Sequence, residues 1–545
     1  MKINIKALFA ASLIGLTTSC TDLDVNVNSQ LVQYPSSDIA IAAKMADIYY
    51  TFAGPLSRRY DEAQSLSSDE YVGVSFDGNY VDNHNYSNMS LHLFSADDAA
   101  LGWYDDLSSG ITKCNFLIDD LGGSSAEAYK LAEPRAMRAF FHFILMDSFG
   151  DIPVLDHIPG DDEAIERKSR ATVAEFIESE LKAVIPYLSS NVDETTYGKP
   201  TKWMAEALLA KLYINWPVYT ASDVTAYDAN AYSNPKLDDC VACCDSIIKS
   251  GYFSLDGGAS DYKSKFMADN GSQIKDFIYA MPYDATLRTG MTYARFRTWK
   301  KANTGTSYYG WKVGKSCAGV FAMTPEMADL FDCEEAGDRA DVVMGGTIKV
   351  MSNGVKTDEN WLYKDKTEFV TKTITLKSQD RDLNVGEDEN GWNQGWKSNK
   401  FLPVQDDYNN HDRSQSNDVP IFRYADILLM KAEAILRGAK ATNGDNVNYL
   451  FNQVRSYANA PLLTASTPTL DDIYAERGRE FLDEHWRRND MIRFGTFESD
   501  FGYHKKSFVD SKGEMIANFD KTRRIFPIPT ATLNSNSNWK QNAGY

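Results

Sequence analysis

Past its first twenty residues this chain has no apolar run long enough to cross a bilayer, no run of five or more basic residues, and only seven histidines in 545 positions. A spanning helix needs about 20 consecutive apolar residues, so no later segment reads as one. The formal charge is −20, from 56 Lys and Arg against 76 Asp and Glu, and the pI is near 4.9. A polyanion without a basic tract suits neither nucleic acid nor an anionic lipid surface. None of His84, His92, His142, His157, His411, His485 and His504 forms a His-Glu-x-x-His pair, and no Gly-x-Ser-x-Gly elbow is present.

Other near-motifs lack a needed part. Gly310-Trp-Lys-Val-Gly-Lys-Ser has three residues between its glycines where a phosphate loop has four, and no apolar strand leads into it. Asp22-Leu-Asp-Val-Asn-Val-Asn begins like a calcium loop, but Val27 and Gln33 stand where the required glycine and bidentate glutamate belong. Cys240, Cys243 and Cys244 have no second cysteine pair to complete a tetrahedral zinc site. Their helical spacing in Leu237 to Leu255 predicts small core residues on a helix ending at Gly251. Disulfides are open to the remaining thiols, and the sequence does not pair them. No metal and no cofactor is expected.

Aromatic residues are abundant: 10 Trp, 30 Tyr and 27 Phe. Helical periodicity predicts helices over Trp103–Asp120, Ala132–Phe149, Val173–Leu188, Thr201–Trp216 and the cysteine segment, then a second block over Phe422–Phe497. Small and aromatic residues recur in Pro134-Arg-Ala-Met-Arg-Ala-Phe-Phe, in the Trp203 segment and in the Tyr424 segment, a degenerate tetratricopeptide-like signal. Residues 256–420 differ, rich in Gly, Asn, Asp, Ser and Tyr, with only Val370 to Leu376 reading as a strand. So much irregular chain is usually functional loop material. A second irregular stretch is Asp69 to Leu101.

Both termini are distinctive. Lys2 and Lys6 precede the apolar run Ala7 to Leu16, and Ser19 stands before Cys20. Ten residues rise only about 15 Å as a helix, half of a hydrocarbon core, so the run reads as a signal sequence. Cys20 then reads as the lipidated first residue of a mature lipoprotein, although Thr17 occupies the place where such signals usually carry Leu. A plain secretory signal ending near a cysteine is the alternative. At the other end Phe526-Pro-Ile-Pro forces an extended strap, and Thr530 is placed to cap a short turn over Ala531 to Leu533 before the Asn-rich run to Tyr545.

Arg523-Arg-Ile-Phe-Pro-Ile-Pro through Gln541-Asn-Ala-Gly-Tyr resembles the carboxyl terminus of the SusD/RagB family of outer-membrane nutrient-binding lipoproteins. The resemblance continues, in family order, at Pro134-Arg-Ala-Met-Arg-Ala-Phe-Phe, Phe149-Gly-Asp-Ile-Pro-Val, Gly198-Lys-Pro-Thr, Arg423-Tyr-Ala-Asp-Ile-Leu-Leu-Met, Asn452-Gln-Val-Arg, Glu476-Arg-Gly-Arg-Glu-Phe and Asp490-Met-Ile-Arg-Phe-Gly. It departs at Leu482-Asp-Glu-His-Trp-Arg-Arg-Asn, where the family more often has Glu-Gly-His-Arg. Asp22 and Asp24 after Cys20 are similar to the surface-export signal of such lipoproteins.

The resemblance implies an all-α scaffold of tetratricopeptide-like hairpins bearing a loop-rich insertion. It is divided as signal peptide 1–19, helical region 20–255, insertion 256–420, and helical region with strap 421–545. It implies a surface-exposed outer-membrane lipoprotein, held by the Cys20 lipid, that binds an oligosaccharide and caps a SusC-type TonB-dependent barrel without catalysis. The alternatives are a peptide-binding lid of the RagB kind, a surface glycoside hydrolase, and a purely structural scaffold. Loop aromatics among Gly, Asn, Thr and Ser are the expected ligand contacts: Tyr80, Tyr86, Trp299, Tyr308, Tyr309 and Trp311, with Trp392 and Trp396 next. Trp103, Trp203 and Trp216 are read as core. Glu476, Glu480 and Glu484, crowded by Arg477, Arg479, Arg487 and Arg488, are read as an ion-pair network rather than a catalytic set.

Overall fold

The computed structural model describes residues 38–298, 307–377, 380–387, 391–499 and 520–545. The chain divides into two compact units, residues 1–43 and 44–545, and everything below concerns the second. Helices dominate it. Among the helices are α1 (Trp103–Asp120), α2 (Ala128–Phe149), α3 (Arg170–Val184), α4 (Lys202–Ile214), α5 (Leu237–Ser250), α6 (Gln405–Asn410), α7 (Tyr424–Leu436), α8 (Val447–Tyr457), α9 (Leu470–Glu480), α10 (Arg487–Phe494) and α11 (Thr530–Ser535).

Local chemistry starts several of these helices. The hydroxyls of Ser169 and Thr201 each accept an amide two residues into α3 and α4, Asn446 does the same for α8, and Thr469 with Asp472 forms a reciprocal capping box on α9. Helix α5 stops at Gly251, whose φ of 68° is the left-handed conformation that ends helices without a Cβ penalty. Neighbours pack in succession, α1 on α2, α2 on α3, α4 on α5, α5 on α7 and α7 on α8. Helix α2 is buried on every side from Ala136 to Phe149, which is why its sequence is almost continuously apolar there. It begins at Ala128, four residues before the expected start, and carries Pro134 inside.

The insertion departs from expectation. In place of one strand over 370–376, it and its borders hold small two-stranded ribbons, the pair of β1 (Phe277–Met281) with Val419–Arg423 among them, and of that segment only Val370 is in a strand. The principal ribbon is the antiparallel hairpin of β2 (Lys349–Ser352) and β3 (Val355–Asn360). Its turn, Asn353-Gly354, has φ of 48° and 79°, the left-handed pair that such two-residue hairpins require. The alternating threonines had pointed to the wrong segment, because ribbons this short are set by turns rather than by strand propensity.

The terminal strap is present. Ile525, Phe526 and Ile528 are buried, the Phe526 amide donates to the Ser148 carbonyl at 2.7 Å, and Asn542 Nδ2 donates to the Phe149 and Phe526 carbonyls, each at 2.8 Å. Thr530 is not the cap it was expected to be. Pro529 occupies that position, and no side chain caps α11. Among the described residues the six thiols form no disulfide. Cys114, Cys240, Cys243, Cys244 and Cys317 are buried, and Cys333 is partly so.

The acidic triplet on and after α9 lies in the interior. Arg339 pairs with Glu476 at 2.6 Å and with Glu480 at 3.2 Å, while Arg423 reaches Asp276 (2.6 Å), Glu480 (2.8 Å) and Glu484 (2.7 Å). Lys265 and Lys400 add pairs to Asp276 and Glu484. All of these groups are buried, so the network is internal scaffolding, and every charge in it has a partner.

Candidate ligand-binding site

A cleft of about 860 Å³ is lined wholly by residues from Ser264 to Ser416. Its walls come from four places: the Met267–Asp269 turn, the Tyr309–Trp311 turn, the β2–β3 hairpin tip, and Leu402–Gln405 entering α6.

The Tyr309–Trp311 wall is built by a tight turn. The Gly310 amide donates to the Ser307 carbonyl at 3.0 Å, and Ser307 returns its amide (3.1 Å) and hydroxyl (2.6 Å) to the Trp311 carbonyl. Gly310 has φ of 83°, and a Cβ there would stand 2.4 Å from the Met351 carbonyl oxygen, so the position admits only glycine without moving backbone. The turn is thereby tied to the hairpin, and the Met351 amide also donates to the Tyr308 carbonyl at 2.6 Å.

The rings then divide by depth. Trp311 is half-buried and stacks on Tyr309, with centroids 5.6 Å apart and planes at 18°. Tyr309 is 4 % exposed, lines the cleft, and shares a hydrogen bond with the Thr298 hydroxyl. Tyr308 is 1 % exposed and belongs to the core beneath, against Trp361 and Trp392, with its hydroxyl donating to the Thr298 carbonyl. Burial pushes both phenols well above their ordinary range.

The expected contacts therefore do not form one exposed row. Trp311 and Tyr309 face the cleft, whereas Tyr308 supports it from inside. Tyr80 is half-buried and reaches the same neighbourhood from the early irregular stretch, its hydroxyl donating to the Cys317 carbonyl at 2.8 Å. Tyr86 was expected to be exposed and is buried on the helix Asn85–Leu91 between Phe296 and Phe321. There burial, followed by the Glu62 charge, pushes its phenol up to about 12. Trp392 is buried in the same core as Tyr308, and Trp396 is half-buried against it. Trp299 lies outside the described residues, as does Cys20.

Several lining residues escaped sequence reasoning. Asn353, Gly354, Val404, Gln405 and Asp407 carry no aromatic signature. One signal was available: Asn-Gly between Val350-Met-Ser and Val355-Lys-Thr is the strongest short-range mark of a hairpin. Exposed Ser352, Asn353 and Gln405 bring hydroxyl and amide groups to the rim beside the stacked rings. A flat apolar face bordered by such groups is chemically suited to stack a ring that is apolar on one side and hydroxylated at its edge. Among the described residues no group of three or more His, Cys, Asp or Glu side chains is placed to hold a metal ion.

A helical scaffold with a loop-borne, aromatic-walled cleft and a buried carboxyl-terminal strap defines a class, and the chain belongs to the SusD family. The model of that family matches residues 275–545, and a second, described as starch-binding associating with outer membrane, matches residues 23–214. The chain is 24 % identical to the starch-binding protein SusD of Bacteroides thetaiotaomicron, over 99 % of each chain. Its fold resembles that of surface glycan-binding protein A from Bacteroides fluxus, with a TM-score of 0.69, 19 % identity, and 94 % of this chain covered against 100 % of that one. The Bacteroides thetaiotaomicron surface glycan-binding protein A, solved in complex with laminarihexaose, aligns with a TM-score of 0.64 at 19 % identity, covering 93 % of this chain and 99 % of that one.

Proposed function

We propose that this protein captures an oligosaccharide at the outer-membrane surface and presents it to a SusC-type TonB-dependent barrel, acting as the barrel's lid. The observation that carries the reading is the Tyr309–Trp311 stack at the wall of an 860 Å³ cleft, with amides and hydroxyls at its rim, in a chain of this family. The family relatives named for starch and laminarihexaose support the ligand class. On this reading the helical regions 20–255 and 421–545 are scaffold, and the insertion 256–420 carries the ligand face. The Cys20 lipid holds the chain at the membrane. No described helix is long and apolar enough to cross it.

The protein acts by binding, and no bond is made or broken. A lid needs little affinity of its own, because ligand held over the pore meets the barrel at high effective concentration. Titration of the purified protein with starch- and laminarin-derived oligosaccharides should give saturable binding without new reducing ends. Turnover lost on mutation of one carboxylate would favour a glycoside hydrolase. Binding of peptides and not of sugars would favour the peptide-carrying lid.

A further inference from the structure

The cleft does not end at the Asn353–Gly354 tip. Beyond it lies a second hollow of about 460 Å³, bordered by Asp261, Lys263, Asp338, Asp341, Val355 and Lys356. The two hollows share Ser264, Met267, Asn353 and Gly354 as wall, so they meet over the hairpin turn. The crossing point is low because Gly354 has no side chain. It is also fixed, since Lys263 Nζ donates to the Gly354 carbonyl at 2.6 Å and a Cβ on Gly354 would stand 2.6 Å from Met267 Cε.

The chemistry changes across the tip. The first hollow offers a stacked aromatic pair, whereas the second offers ammonium donors beside Tyr262, Met267 and Val355, the last of which is 68 % exposed. Its carboxylates are already engaged: Asp341 by Lys356 at 3.3 Å, Asp338 by the Asn459 amide at 2.6 Å, and Asp261 by the Ser264 backbone amide at 2.8 Å. The two lysines are close enough that the Lys356 charge, after burial, helps push Lys263 down to about 8. A ligand rich in oxygen acceptors relieves that crowding, because each ammonium carries three N–H donors.

We infer that the ligand is a linear oligosaccharide long enough to fill both hollows at once, stacked on Trp311 in the first and hydrogen-bonded through its oxygens to Lys263 and Lys356 in the second. This rests on the reading of the first cleft as a glycan site. Once the first hollow is occupied, filling the second is an intramolecular event, so affinity climbs with chain length.

The test is calorimetry of the lipid-free mature protein with two ladders, starch-derived and laminarin-derived, from disaccharide to octasaccharide. Affinity should rise about tenfold or more between the short and long members of the ladder that binds. Val355→Asp with Lys356→Ala should abolish that rise and leave short-chain affinity unchanged. Lys356→Ala alone, at an unchanged melting temperature, should remove part of it. Trp311→Ala should weaken every length. Length-independent affinity in the parent protein, or equal losses at all lengths in the double variant, would overturn the inference and leave the first cleft standing. Trp311→Ala without effect, or no binding to either ladder, would overturn the reading of the first cleft and the inference with it.

Discussion

Trp311 differs from the other aromatic side chains named from the sequence because its ring is half-buried while its backbone is held by Ser307. Removing such a stacking ring costs about 2 kcal/mol of binding, so Trp311→Ala should lower glycan affinity roughly thirtyfold with a small change in melting temperature. Tyr308→Phe should behave oppositely. It loses a buried hydrogen bond to the Thr298 carbonyl, costing about 1 kcal/mol of stability, and leaves affinity near that of the parent in calorimetry. Asp418 is a second residue-scale case. It accepts from the Tyr283 amide at 2.7 Å and the Tyr197 hydroxyl at 2.8 Å, yet burial pushes its carboxyl up to about 7. A pKa raised on folding means that the native state holds the proton more tightly. The stability this contributes is complete below about pH 4 and is lost as pH rises through about 7. Asp418→Asn should therefore raise the melting temperature at pH 8 and raise it clearly less at pH 5, by thermal denaturation at the two pH values.

Two short elements decide whether the cleft has a wall. The Ser307–Trp311 turn and the β2–β3 hairpin are locked by Gly310 against the Met351 carbonyl, a backbone atom that has no room to give. Gly310→Ala should cost on the order of 1–3 kcal/mol through left-handed strain and displacement of that contact. Since the displaced backbone carries Tyr309 and Trp311, binding should fall along with stability. Chemical denaturation and calorimetry on the same variant would show both losses; retained affinity would mean that the turn does not position the rings. The strap is an element of the other kind, buried and remote from the cleft. Asn542→Ala leaves the Phe149 and Phe526 carbonyls without their donor and should cost about 2 kcal/mol in the same denaturation assay, with affinity unchanged.

At the scale of the whole molecule, buried ions join regions that are far apart in sequence. Arg297 from the insertion pairs with Asp61 at 2.5 Å and Asp483 at 2.8 Å, and Arg423 gathers Asp276, Glu480 and Glu484. Burial alone would raise the Asp276 carboxyl, but the Lys265 and Arg423 charges outweigh it and hold it at about 2. Asp61, Asp426, Glu433 and Glu480 are lowered in the same way, by cations that overcome burial. A depressed carboxyl contributes stability above its unfolded pKa, and that contribution is lost as pH falls through the folded value. Cooperative acid unfolding is thus expected between about pH 4 and pH 2, followed by circular dichroism, because the lowered network carboxylates then outweigh those that burial raises, Asp418, Glu62 and Glu70 among them. Arg423→Met takes the shared cation from Asp276, Glu480 and Glu484, leaving each with one other cation (Lys265, Arg339 and Lys400), and should cost about 3–5 kcal/mol, enough to deplete folded protein. Cys20→Ala belongs to this scale as well. Without acyl chains, each methylene of which contributes about 0.8 kcal/mol of membrane affinity, the protein should leave washed outer membranes in cells lacking the barrel.

The chain alone determined where its long helices lie and where its strap runs, because periodicity, caps and proline act over a few residues. Trp103–Asp120 was legible residue for residue, and Gly251 marked the end of α5. It also determined the family, through landmarks spaced along nearly its whole length. What only the tertiary structure decided is which loop aromatics meet solvent. Tyr308, Tyr309 and Trp311 share one polar neighbourhood in sequence, yet one is core, one is wall and one is half-exposed. Of the arginines read beside Glu476, Glu480 and Glu484, Arg479 does pair with Glu476, at 3.0 Å, but Arg339 and Arg423 were out of reach, since they come from distant segments. Burial and charge pairing depend on what packs from elsewhere in the chain, and flanking residues do not record it.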